Sequence, residues 1–404
     1  MRSPSGSPAT PTTRVLGGPT LVLLAAVACF SSSFHTLLPV VPVLLERAGP
    51  HGAAGAGTAA LFVGTAIGEL MTPWLLNFWS PKRLLIGGSL LVAFPSLLFV
   101  LPDAPAGLML TAAAIRGFGT GAAIAICIVL LAELAPSNRR GRSIGYFGLA
   151  TGITSIVFPS VGVTLLAGGH LGVAAFVAFL GGLASVLLAL RLPERSASAP
   201  AFATNILGGV RRPGLLAIFG GFALVSCTFG GVITYAPVAL APAGLGSAAV
   251  FFAVTGAARA ASRWVSGVIG DHQPSHLLLG GGVALTGIGL VALGIHAGPV
   301  AVLIAAVAYG MGYGTMQTGS YLAMVERGAH SDSAVTSALW NSATDIGAGA
   351  GGTMVGLAAA AYGYATAVWV LPIVLLLSVP VLWSAGRSAP NTAAEPGPAP
   401  ASES

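Results

Sequence analysis

The sequence predicts an all-α membrane protein, with twelve transmembrane helices in two pseudo-symmetric six-helix bundles. Three observations carry that prediction. The 404 residues are 55% hydrophobic and only 7% charged, with a mean hydropathy of +0.89, against roughly 25% charged in soluble domains. The apolar residues fall into twelve long runs. A phrase also repeats: PKRLLIGG at Pro81–Gly88 returns as PSHLLLGG at Pro274–Gly281, 193 residues on (274 − 81).

So few charges cannot cover a water-facing surface, so lipid is the natural solvent for most of the chain. A bilayer core needs about 20 apolar residues per helix. That ruler gives spans near 18–45, 57–79, 84–102, 107–134, 143–167 and 171–191 in the first half. The second half gives 214–240, 246–269, 276–296, 299–325, 334–360 and 364–385. Only helices and closed barrels satisfy their backbone polar groups in lipid. These runs are too long and continuous for barrel strands. The first exceeds the roughly 7–15 apolar residues of a signal peptide, so it reads as an uncleaved span.

The cations orient the spans. Arg2 and Arg14 precede span 1; Lys82 and Arg83 follow span 2; Arg139, Arg140 and Arg142 follow span 4. Arg191, Arg195, Arg211 and Arg212 lie between spans 6 and 7, Arg327 follows span 10 and Arg387 follows span 12. The opposite loops hold only Arg47. This asymmetry places both termini in the cytoplasm of a multi-pass plasma-membrane protein. The expected organisation is a disordered cytoplasmic N-terminus at 1–16, a bundle at 17–192, a central cytoplasmic loop at 193–213, a second bundle at 214–386 and a disordered tail at 387–404.

One register links the halves. At the same offset Gly117, Gly119 and Gly121 in span 4 meet Gly310, Gly312 and Gly314 in span 10, and Glu133 meets Glu326. Six spans per repeat give both halves the same orientation, with an axis along the membrane normal. That is the parallel-repeat plan of transporters with a midplane site between two bundles. The net charge of +6 is a topology code rather than a nucleic-acid surface, because the cations gather on no strip and no aromatics interleave with them. Cys29, Cys127 and Cys227 stand alone in apolar runs as packing residues. No GxxxxGK[ST] occurs, so ATP coupling has no support. No nucleophile–base or metal constellation points to an enzyme, and no cofactor is expected.

The residues resemble the major facilitator superfamily over about 18–385. Gly267-Val-Ile-Gly-Asp271-His-Gln-Pro-Ser-His276 resembles its signature loop G-x-x-x-D-R-x-G-R-R, with His272, Ser275 and His276 at weakened basic positions. The first-half copy keeps Lys82 and Arg83 but has Trp74 and Phe78 where Gly and Asp belong. Arg116-Gly-Phe-Gly-Thr-Gly121 resembles the buried-arginine motif, which implies a place near proton coupling. Arg139-Arg-Gly-Arg142 is family-like. Gly148-x3-Gly152 with Pro159-x2-Gly162 resembles the antiporter motif, with its proline displaced. The resemblance implies the family's twelve-span fold, a secondary transporter, and drug- or metabolite-like efflux.

A charge at mid-bilayer costs at least about 2.5–3.5 kcal/mol, so each such group needs a partner, a wet cavity or a task. The proton-coupling candidates are Glu69, Arg116, His35, Asp345 and Arg259. Arg116 in span 4 would bind substrate anion, control a carboxylate, or clamp carbonyls. Glu69 in span 2 would carry a proton or form a static salt bridge with Arg116. His35 in span 1 suits a relay, or packs as a hydrogen-bonded residue. Asp345 in span 11 would couple transport, or form a fixed pair with Arg259 of span 8.

Candidate cavity residues are Phe30, Phe34, Phe229, Tyr235, Tyr309, Tyr313, Tyr321, Trp340 and Asn341. Together they suit an apolar or amphipathic substrate. Lys82, Arg83, Glu133, Arg139, Arg142, Arg263, Asp271, Glu326 and Arg327 are expected to form ion pairs between helices at the cytoplasmic gate. The expected partners are a small-molecule substrate, protons and the lipid bilayer, with the chain a monomer and no nucleic acid involved. The leading function is proton-coupled efflux by alternating access. Uptake of a sugar, organic anion or siderophore is one alternative; a non-transporting receptor or scaffold is another.

Overall fold

The computed structural model describes residues 17–101, 104–134, 140–194, 213–241, 245–270, 272–295, 298–327 and 333–387. The expected disordered N-terminus at 1–16, residues 388–404 of the tail expected at 387–404, most of the central loop, and Arg139 and Asp271 lie outside the described residues, as do the side chains of Arg142 and Arg327.

Twelve helical spans follow in order, and no strand occurs among the described residues. Span 1 is two helices, Gly18–Leu37 and Val40–Ala48. Pro39 breaks it, because proline has no N–H to donate and clashes with the preceding turn. Span 2 is Ala53–Leu75. Span 3 is Pro81–Ala93, capped by the Ser80 side chain, and tightens into a 3-10 turn at Phe94–Val100. Spans 4, 5 and 6 are Ala106–Leu134, Arg140–Ala167 and Leu171–Leu190.

The second half repeats the plan. Spans 7 to 11 are Pro213–Ala239, Leu245–Gly270, Ser275–Ile295, Pro299–Arg327 and Ser333–Tyr362. Span 12 is Tyr364–Ala367 followed by Val370–Arg387. Ten helices are long and apolar enough to cross a membrane by length and composition. Spans 8 and 11 are not in that set; they carry the half-buried Arg259, Asn341 and Asp345.

Packing reproduces the repeat. In the first half span 1 packs on spans 5 and 6, span 4 on spans 2 and 3, and span 3 on span 6. Six spans later the same pairs recur: 7 on 11 and 12, 10 on 8 and 9, and 9 on 12. The bundles meet where span 2 packs on span 11 and span 5 on span 8, two pairs that exchange under a two-fold operation. Small residues allow these approaches, as membrane interfaces require. In span 4 a Cβ on Gly117 would lie 2.9 Å from the Leu61 carbonyl carbon of span 2.

The apolar core is asymmetric end to end. Near the Lys82–Arg83 loop, called here the basic end, a separate cluster of Leu23, Val27, Leu76, Leu85, Ile126 and Leu130 fills the first bundle alone. Toward the opposite end one cluster runs through both bundles, from Leu37–Leu45 and Phe62 to Phe222, Val232 and Val355. The bundles therefore share apolar packing at the opposite end and hold separate cores at the basic end.

Candidate functional site

A cavity lies between the bundles. His35, Leu38 and Pro39 of span 1 and Ser155 and Pro159 of span 5 form one wall. Phe229, Val232 and Ile233 of span 7, Phe252, Thr255, Gly256 and Arg259 of span 8, and Tyr309 and Tyr313 of span 10 form the other. Its free volume is about 40 Å³, room for about three waters, so an organic molecule needs the walls to part. The expected cavity residues Phe229, Tyr309 and Tyr313 meet here, together with His35 and Arg259, which were expected as proton-coupling residues. Ser155, Pro159, Phe252 and Thr255 were not foreseen. Their signal was spacing: Thr255 stands one helical turn before Arg259, and Ser155 one turn before Pro159.

Aromatic rings cross the seam between bundles. Tyr309 stacks on Tyr313 at 5.9 Å, and Tyr313 on Phe229 at 5.2 Å. Phe229 meets Phe62 edge-on at 6.2 Å, Phe62 meets Phe34 at 6.3 Å, and Phe34 meets the His35 ring at 5.2 Å. Phe34 thus supports the wall from behind.

Arg259 does not pair with Asp345, contrary to expectation; neither residue belongs to an ion pair among the described residues. The Arg259 guanidinium instead donates to Ser155 Oγ at 2.6 Å and lies 5.7 Å from the Phe229 ring centroid. The side chain reaches across to span 5, away from span 11. Arg263, one turn nearer the basic end, is exposed.

His35 is held by its own helix. Its Nδ1–H donates to the Ser31 carbonyl at 2.8 Å, because a carbonyl can only accept. The Ser31 hydroxyl then donates to Thr154 Oγ1 at 2.7 Å, and Thr154 donates to the Thr151 carbonyl at 2.8 Å. This chain ties span 1 to span 5. When the ring is neutral this arrangement leaves Nε2 as an acceptor.

Glu69 and Arg116 also stay apart. Arg116 is 1% exposed. It donates from Nη2 to the Ser33 carbonyl at 2.8 Å and from Nε to the Val92 carbonyl at 3.3 Å, with the Phe99 ring 6.0 Å away. Its contacts are those of a clamp joining spans 1, 3 and 4. Glu69 faces the other bundle: Ser342 of span 11 donates to its Oε2 at 3.4 Å, and Asp345 is close enough for the two charges to interact. The packing of span 2 against span 11 places both acids at one seam.

Five candidate cavity residues lie elsewhere. Phe30 is in the first-bundle core at the basic end. Tyr235 is buried beside Tyr364, with ring centroids 6.4 Å apart. Trp340 stacks on Phe222 at 5.3 Å, and its Nε1–H donates to Ser320 at 3.1 Å. Asn341 follows it, half-buried, on span 11. Tyr321 packs edge-on against Trp340 at 6.0 Å.

At the basic end, the contacts of two expected gate residues stay within single bundles. Arg83 pairs with Glu194 at 3.3 Å, and Glu326 accepts from Ser275 at 2.7 Å. The first joins spans 3 and 6, the second spans 9 and 10. They differ from a charged gate between bundles because each carboxylate is met from its own repeat.

At the opposite end the bundles are tied. Thr58 of span 2 and Thr234 of span 7 share a 2.7 Å hydrogen bond. A Cβ on Gly55 would come within 2.6 Å of the Gly356 Cα, so spans 2 and 11 touch backbone to backbone. Glu46 accepts from the Gly52 and Ala54 N–H groups, from His51 at 2.8 Å and from the Tyr364 hydroxyl at 2.7 Å. The cavity is closed on this side.

Among the described residues, no group of three His, Cys, Asp or Glu could hold a metal ion. No curated protein matches the chain. Solved structures share its fold. A D-xylose–proton symporter aligns with a TM-score of 0.71 at 16% identity over 90% of this chain and 97% of that one. A variant of the nucleoside transporter NupG gives 0.71 at 11% over 91% and 100%. A bacterial homologue of the human lysosomal transporter Spinster gives 0.70 at 15% over 92% and 96%. These likenesses speak for the fold alone. The Major Facilitator Superfamily model matches residues 21–352. With its paired six-helix repeats, seam cavity and family match across most of its length, the chain belongs to the major facilitator superfamily, as a membrane transporter and not an enzyme.

Proposed function

We propose that the protein carries a small amphipathic organic molecule across the plasma membrane by alternating access, as a monomer, in exchange for protons. The observation that carries this reading is the 3.4 Å hydrogen bond from Ser342 of span 11 to Glu69 of span 2, which sets Glu69 on the seam against the helix that carries Asp345 one turn on. Two carboxylates sharing a site repel if both are charged. One proton removes the repulsion. The seam must shear when the bundles rock, so the protonation of this pair and the position of the bundles are linked. A proton crossing the field supplies about 2.3 kcal/mol per 100 mV, enough for somewhat more than a tenfold substrate gradient.

The aromatic wall favours a substrate with an apolar body. The glycine and proline pattern of span 5 favours export. The Arg- and Lys-bearing loops favour a cytoplasmic basic end, so the open side would receive substrate from the cell interior.

Proteoliposomes loaded with a pH-sensitive dye test this. Small amphipathic compounds are added with and without an imposed pH gradient. At least one compound is expected to drive proton movement. Glu69→Gln and Asp345→Asn should each reduce gradient-driven flux at least tenfold while leaving substrate–substrate exchange measurable. Full gradient-driven flux in both variants would sink the coupling assignment.

A further inference from the structure

We infer that the seam cavity is an anion site, and that its ligand is an amphipathic carboxylate whose acid group is held by Arg259. This rests on the transporter reading above and names the substrate class for that site.

The cavity's lining includes a guanidinium and no carboxylate. Arg259 has a neutral hydroxyl, Ser155 Oγ, as its hydrogen-bond partner and an aromatic face beside it, and no carboxylate within ion-pair distance among the described residues. A charge retained inside a membrane bundle without its counterion marks a place where a counterion comes and goes.

Two hydroxyls make the site more specific. Thr255 Oγ1 is buried on the cavity wall and has no hydrogen-bond partner. Tyr313 Oη is buried as well, and faces Ser226 without reaching good hydrogen-bond geometry. Buried polar atoms without partners call for an explanation. Thr255 is one turn from Arg259 on span 8, and Tyr313 is on the neighbouring span 10. A carboxylate accepts several hydrogen bonds at once and donates none, which suits a planar guanidinium in a cavity whose lining also carries hydroxyls. The stacked faces of Phe229, Tyr313 and Tyr309 stand beside this group and suit a flat apolar body. Sites with mostly apolar walls and a few convergent polar groups are the usual form for small-molecule binding.

The test is equilibrium binding to the purified full-length chain, with no membrane potential or pH gradient, using three probes of one shape. These are 1-naphthoate, 1-naphthalenemethanol and 1-naphthylmethylamine. The carboxylate is expected to bind saturably and at least tenfold more tightly than the alcohol or the amine. Arg259→Gln should weaken the carboxylate at least tenfold, Arg259→Lys should recover part of that loss, Thr255→Val should weaken it several-fold, and Arg263→Gln should leave it within twofold.

Equal binding of all three probes, tighter binding of the amine, no saturable binding of the carboxylate, or unchanged affinity in Arg259→Gln would each overturn the inference. The three-probe comparison needs only the wild-type chain, so a variant that fails to fold does not remove the test. Failure here with gradient-driven flux intact overturns the anion site and spares the transporter reading. Carboxylate binding with no flux does the reverse.

Discussion

Tyr364 at the start of span 12 donates a 2.7 Å hydrogen bond to Glu46 at the end of span 1, joining the two bundles across the closed side. Hydrogen bonds to charged groups contribute about 1.5–3 kcal/mol. Tyr364→Phe should therefore shift the population away from the closed arrangement by tenfold or more. Spin labels placed on spans 1 and 7 at that end would show a longer distance component. Glu46→Ala should act more strongly, since two backbone N–H groups also lose their acceptor.

Gly55 is a steric sensor of the same seal. A side chain there meets the Gly356 backbone, which cannot rotate out of the way. Gly55→Leu is expected to keep the protein folded but hold spans 2 and 11 apart. Transport should fall to background while ligand binding survives, as read by flux and equilibrium binding on one preparation.

Arg116 is expected to be a structural clamp. Arg116→Ala leaves the Ser33 and Val92 carbonyls without this donor inside the first bundle. Hydrogen bonds from a charged donor contribute about 1.5–3 kcal/mol. The apparent melting temperature should drop by several degrees, and Arg116→Lys should recover only part of it because an ammonium lacks the fork that reaches two carbonyls. In molecules that remain folded, the carboxylate affinity of the cavity should be unchanged.

The Arg83–Glu194 pair is expected to matter little. Both side chains are more than half exposed, and exposed pairs contribute about 0–1 kcal/mol. Glu194→Ala should leave thermal stability and flux within experimental scatter, whereas an ion pair gating the path would change flux and its dependence on salt.

Much of the architecture was legible in the chain. The repeat at one fixed offset foretold two bundles with matching internal contacts, and hydropathy marked the spans. Spans 8 and 11 carry Arg259 and Asp345 inside otherwise apolar runs, and intramembrane charge was itself a sign of the seam. The pairings were harder. Depth along a helix can be counted from its ends, and by depth Arg116 suited Glu69 and Arg259 suited Asp345. Which neighbour a side chain meets depends on helix rotation about its axis, and the polar residues of Ala- and Gly-rich spans leave that angle poorly fixed. Arg116 turned inward to carbonyls, Arg259 turned to span 5, and the two acids were left at the seam without either cation. The same ambiguity moved Trp340 and Tyr235 from the cavity to packing positions. Ser155 and Thr255 were overlooked because single hydroxyls in a span commonly bond to their own backbone.

The shared apolar core at one end behaves like a fulcrum set off-centre. To present its interior to the other face, the carrier must strip that greasy contact and build an equivalent one where two separate cores now stand. Its resting posture is thus a contest between two lids of unequal grip. A cargo molecule wedged among the rings wins that contest only by gripping the lid-swapped form better than this one.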